Sequence, residues 1–112
     1  MKRVYVAGAY SSDNVIGVLN NIRKGTQASV DVFLAGFAPF CPWLDYQFQF
    51  YTDQLKVSDY YSYSMAWLDA SDAVLVTPDY ENSKGTIAEI ERAMELHIPV
   101  YFSLADLIQS EM

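Results

Sequence analysis

Two uninterrupted apolar runs, Val4-Tyr5-Val6-Ala7 and Ala73-Val74-Leu75-Val76, constrain this chain more than any other feature. Neither shows the polar alternation of a half-exposed strand, so each reads as a strand covered on both faces. The first run ends at Gly8, and the second meets Thr77-Pro78. Elsewhere the apolar residues recur every three or four positions, the period of a helix. Asn14 is placed to cap a helix whose stripe is Val15, Leu19, Ile22, Thr26, Val30 and Phe33, ending at Gly36. Phe37-Ala38-Pro39-Phe40 reads as a second short strand, limited by Pro39 and Pro42. Residues 43–57 read as irregular and aromatic, and a helix is expected from about Ser58 to Ala70. After a loop over 77–85, a helix from Thr86 to about Leu96 precedes a strand over Ile98–Phe102, and Ser103 caps a last short helix.

Strands alternating with helices imply an α/β fold: a flavodoxin/Rossmann-like three-layer sandwich around a small parallel sheet of four or five strands. A length of 112 residues, 52% hydrophobic, is enough for one core and one domain spanning 1–112. In such sheets ligands bind beyond the carboxyl ends of the strands. Two loops leave those ends carrying useful chemistry: Gly8-Ala9-Tyr10-Ser11-Ser12 and Ser83-Lys84-Gly85-Thr86.

Several function classes are disfavoured. A formal charge of −7, with no basic cluster larger than Lys2-Arg3 or Arg23-Lys24, argues against binding duplex nucleic acid. One cysteine, Cys41, rules out an internal disulfide, and one histidine, His97, leaves no usual zinc ligand set. His97 reads as a helix C-terminal residue, and no metal is expected. The apolar run after Met1-Lys2-Arg3 is too short for a signal peptide, and nothing approaches a membrane span, so the expected location is cytoplasmic. Neither a G-x-G-x-x-G after the first strand nor a P-loop is present, so no dinucleotide cofactor or NTP hydrolysis is expected.

The segment Ser83-Lys84-Gly85-Thr86-Ile87-Ala88-Glu89 carries the candidate chemistry. Small residues at a helix N-terminus let backbone N–H groups approach an anion. Glu89 falls about one turn inside, with its side chain tilted toward the same mouth. On the functional reading the helix dipole keeps it ionised for attack on a sugar carbon. On the plainer reading Thr86-x-x-Glu89 is a capping box, and Glu89 bonds only the Thr86 backbone N–H. Tyr10 can reach a ribose or the attacking carboxylate, or can simply be a tyrosine with a wet hydroxyl. Ser11 can hold phosphate or sugar hydroxyls, or belong to the approach of the first helix. Ser83 and Lys84 offer a small phosphate cradle, or a solvated loop. The rings between Trp43 and Trp67 divide between core, subunit contact and one or two faces for a base.

Three stretches together resemble the nucleoside 2-deoxyribosyltransferase superfamily. Val4 to Ser12 is similar to its opening, and Trp67 to Val76 to its middle helix and strand. Ser83-x-Gly85-Thr86-x-x-Glu89-Ile90-x-x-Ala93 looks like its signature loop and helix. Within it, the chain resembles the short bacterial and phage branch known as the DUF4406 group. The resemblance implies N-glycoside chemistry, base exchange or hydrolysis, on a nucleoside or nucleoside 5′-monophosphate. It implies Glu89 as nucleophile, Tyr10 beside the sugar, and Ser83 and Gly85 at a 5′-phosphate; with Gly8, Ser11, Ser64 and Thr86 as further substrate-binding candidates, the expected site has eight residues, Glu89 and Tyr10 being its catalytic pair. It also implies a homodimer or larger homo-oligomer. The family commonly carries an aspartate at the position of Ser64, where this chain has none. Asp69 lies about 140° further round an ideal helix and is no obvious substitute. A non-catalytic module that senses or sequesters a nucleotide is therefore the alternative.

Overall fold

The computed structural model describes residues 1–112. Its sheet contains β1 (Arg3–Ala7), β2 (Ala38–Phe40), β3 (Ala73–Val76) and β4 (Val100–Tyr101), all parallel, in the order β2-β1-β3-β4. Helices α1 (Val15–Leu34), α2 (Val57–Asp69), α3 (Lys84–Glu95) and α4 (Leu104–Glu111) accompany them, with a 3-10 helix over Pro42–Phe50. This is the flavodoxin/Rossmann-like arrangement implied by the alternation of segments, with a four-stranded sheet. No helix is long and apolar enough to cross a membrane.

The two apolar runs are explained by the pleat. Val4, Val6, Ala73 and Leu75 point to one face, where Val32 of α1 and Leu107 of α4 cover them. Tyr5, Ala7, Val74 and Val76 point to the other, under Leu68 of α2 and Ala93 of α3. A strand with a core on each side has no position left for a polar residue.

Four sequence expectations are corrected. Residues Pro42–Phe50 form a continuous 3-10 helix, with Pro42 at its first turn and Trp43 buried as its anchor. The fourth strand shrinks to Val100–Tyr101, because Pro99 has no N–H to donate and contributes only its carbonyl, to Val74 N–H. Helix α3 starts at Lys84, not Thr86: Ser83 is its N-cap, and the Ser83 hydroxyl accepts from the Thr86 N–H at 3.2 Å. Finally, the apolar stripe expected on α1 faces outward at Val15, Leu19, Val30 and Phe33.

The inner face of α1 is instead Gly25, Ser29 and Val32, with Ile22 the one apolar member of the expected stripe packed against the core. The reason is Trp43, whose ring lies so close that a Cβ on Gly25 would sit 2.2–2.3 Å from it. The Trp43 indole N–H donates to the Ala9 carbonyl at 3.0 Å, so one ring fastens α1, the 3-10 helix and the loop after β1. Alanine normally favours a helix interior over glycine by about 1 kcal/mol. Here Gly25→Ala is expected to reverse that sign and lower stability by about 2 kcal/mol through overpacking. Urea unfolding measures it, and an unchanged midpoint would show that the ring yields freely.

Candidate functional site

The sheet order β2-β1-β3 places the reversal of strand order between β1 and β3. The chain leaves β1 for α1 on one side and leaves β3 for α3 on the other, so their loops diverge and open a crevice. A cavity of about 940 Å³ occupies it. All eight candidate residues line it: Gly8, Tyr10, Ser11, Ser64, Ser83, Gly85, Thr86 and Glu89.

Each arrives for a local reason. Gly8 ends β1 where a Cβ would lie 2.0 Å from the Thr77 hydroxyl oxygen, so only glycine lets the β1 and β3 ends stay this close. Gly85 admits the hydroxyl of Tyr61 from α2, which would stand 2.7 Å from an added Cβ. Ser83 and Thr86 are occupied with capping: their hydroxyls bond each other at 2.8 Å, and Thr86 is buried. Because Ser83 caps Thr86, the N–H groups of Lys84 and Gly85 are the first-turn donors left without a protein acceptor. Asp79 at the rim adopts a left-handed backbone (φ 65°), which aspartate tolerates better than most residues.

Glu89 is not a cap. Its carboxylate accepts a hydrogen bond from the hydroxyl of Tyr5, which reaches it from the middle of β1. Counting from Ser83 as N-cap, Glu89 lies beyond the first turn, where the dipole has faded. Burial therefore dominates and pushes Glu89 up to about 7, with the Tyr5 bond pulling the other way. The expectation of a carboxylate kept ionised by the helix dipole is corrected accordingly. Tyr5 itself is held far above the usual phenol range, by burial first and then by the Glu89 charge, so it remains a donor.

Tyr10 does not meet Glu89. Its hydroxyl donates to Asp45 Oδ1 at 2.7 Å. Asp45 comes from the 3-10 helix, is only 6% exposed, and lines the same cavity. Burial pushes its carboxyl upward, partly offset by the Tyr10 bond. Asp45 carries no site signal of its own in the sequence, because it sits in an aromatic stretch without helical or strand periodicity. The signal available is its position: it lies a few residues beyond Phe40, the carboxyl end of β2, where ligand-facing groups belong. Tyr5 was missed for a different reason, being indistinguishable from a core residue in an apolar run. Ser64 neighbours Tyr5 and works against its upward shift. Asp69 faces away and is held by the Arg92 guanidinium through two bonds of 3.0 and 2.9 Å.

The cavity thus combines two buried carboxyl groups, each held by a tyrosine, with free N–H donors and Lys84 at its rim. One carboxyl can attack an electrophilic carbon while the free N–H groups receive an anion. No three His, Cys, Asp or Glu side chains converge where a metal ion could be held.

The chain belongs to the family described as a domain of unknown function, DUF7768, whose model matches residues 2–103. That match does not speak for the finer DUF4406 placement. No curated protein matches the chain in sequence. Among solved structures it is similar to a 2-deoxyribosyltransferase from the psychrotolerant bacterium Bacillus psychrosaccharolyticus. The TM-score is 0.62 at 13% identity, over 88% of this chain and 69% of that one. At that identity the likeness establishes the shared fold.

Proposed function

We propose that this protein cleaves the N-glycosidic bond of a nucleoside or nucleoside 5′-monophosphate, by base exchange or hydrolysis, with Glu89 as nucleophile. The observation that carries the reading is the Glu89 carboxylate, bonded by Tyr5 at the inner wall of the β1/β3 crevice. The fold shared with a 2-deoxyribosyltransferase supports it. A Glu89 oxygen forms a bond to C1′ as the C1′–N bond breaks, its electron pair leaving with the base. A second base or water then releases the sugar from the ester. Tyr5 orients the carboxylate, and Gly8 and Ser11 flank the sugar. A 5′-phosphate would accept from the Lys84 and Gly85 N–H groups beside the Lys84 ammonium, with Ser83 and Thr86 holding that turn in shape.

The test is release of free base from a panel of nucleosides and their monophosphates, together with the mass of a glycosyl adduct on Glu89. Base release with a trapped adduct supports the reading. No release anywhere, with nucleotides still raising the melting temperature, transfers the site to the sensing module favoured by Ser64. In the same panel, monophosphates are expected to stabilise the fold more than their nucleosides do. At 100 times its dissociation constant a ligand adds about 2.7 kcal/mol, well within reach of a melting curve. Equal shifts for the two would move the phosphate away from α3.

The proposal includes a homo-oligomer. Val15, Leu19, Val30 and Phe33 expose an apolar stripe along α1, while Phe50, Tyr51 and Trp67 leave rings in solvent elsewhere. Surfaces of that kind are commonly covered by another subunit. Sedimentation is expected to show at least a dimer at micromolar concentration, and a monomer alone would refute it.

A further inference from the structure

Breaking a C1′–N bond also requires something to be done with the base, which leaves poorly as an anion. Ser64 has no carboxyl to offer, and the buried Tyr5 and Tyr10 phenols are too weakly acidic for the task. A carboxyl is nevertheless in place. Asp45 is 6% exposed and fixed through Oδ1 by the Tyr10 hydroxyl at 2.7 Å. Its Oδ2 has no hydrogen-bond partner, yet no buried side-chain oxygen in the chain is left unsatisfied. Oδ2 is therefore not sealed in the interior, and Asp45 lines the cavity together with Glu89. Trp43, two residues earlier on the same 3-10 helix, is buried and tied to Ala9, so the backbone carrying Asp45 is firmly held.

We infer that Asp45 is the general acid of the reaction, delivering a proton from Oδ2 to a ring nitrogen of the departing base while Tyr10 holds the other oxygen. The inference rests on the glycoside reading above and assigns to it a group that the reading leaves open. The step balances. Glu89 supplies the electron pair of the new C1′–O bond, the C1′–N pair stays with the base, and the Asp45 proton neutralises it. Asp45 is left as a carboxylate that takes a proton back from the incoming base or water. The reaction needs one carboxyl charged and the other neutral. Burial raises the Asp45 carboxyl, so it holds a proton more readily than a solvated aspartate does. Tyr10 becomes a positioning residue that aims Oδ2 and offsets part of the rise that burial imposes on the Asp45 carboxyl.

The experiment compares leaving groups. The nucleoside that the wild type cleaves best is set against the 4-nitrophenyl glycoside of the same sugar, whose phenolate departs without a proton. Asp45→Asn is expected to lower kcat on the nucleoside by about 10²- to 10³-fold. Its loss on the nitrophenyl glycoside should stay within about tenfold, because Glu89 still attacks. Tyr10→Phe, which keeps the carboxyl, should show a smaller loss confined in the same way to the nucleoside, and it serves if Asp45→Asn fails to fold. Equal losses on both substrates, or no loss on the nucleoside, would overturn the assignment to Asp45 and leave the glycoside reading standing. A wild type that cleaves neither substrate removes that reading and this one together.

Discussion

Glu89→Gln is expected to lower base release by about 10³-fold or more while the protein still folds and still binds its nucleotide. The substitution is nearly isosteric, and its amide carbonyl can accept the Tyr5 hydrogen bond in place of the carboxylate. Only the charge is lost, and the charge is what forms the bond to C1′. Because Ser83 and not Thr86 caps α3, no loss of a helix cap confuses the result. The measurement pairs steady-state base release with nucleotide-induced melting shifts for wild type and variant. A variant that binds but does not turn over confirms the nucleophile. A variant that turns over at the wild-type rate would leave Glu89 as a structural acid and defeat the mechanism.

The second large effect runs the other way: the same substitution is expected to stabilise the fold at alkaline pH. Glu89 titrates near 7 when folded, against 4.5 for the free side chain. A folded pKa raised above the unfolded value contributes stability fully below about 4.5, and that contribution is lost as pH rises through 7. A displacement of this size corresponds to about 3 kcal/mol. Asp45 shifts in the same direction and persists in the variant, so part of the slope remains. Asp69 and Glu111 are lowered by their partners, Arg92 and Tyr101 first among them, and act oppositely at acid pH. Urea unfolding at pH 5 and pH 8 should show the wild type losing stability over that interval and Glu89→Gln losing much less. At pH 8 the variant should melt higher by about 10 °C. Equal pH slopes for the two proteins would mean that the Glu89 carboxyl is not desolvated. Gain of stability with loss of activity is the signature of a group kept for its chemistry.

The architecture was legible because it rests on local periodicity. Val4–Ala7 and Ala73–Val76 had to be doubly covered strands, Asn14 and Ser103 had to cap helices, and the carboxyl-end rule directed attention to Gly8–Ser12 and Ser83–Thr86. Those signals lie within a few residues of one another, and tertiary context left them in place. What the sequence could not decide depends on distances between segments far apart in the chain. Tyr5 meets Glu89 across 84 positions, and Tyr10 meets Asp45 across 35. No pattern distinguishes Tyr5 from its apolar neighbours until α3 is laid over its face of the sheet. The outward stripe of α1 follows for a related reason: its periodicity is genuine, but the bulk of Trp43 selected the face of Gly25, Ser29 and Val32 for packing. The Glu89 titration likewise follows from the depth of the crevice, since desolvation is a property of everything packed around a group. Local spacing determined which elements form and where their loops emerge, while the folded packing alone decided which side chains face one another and which carboxyls lose their water.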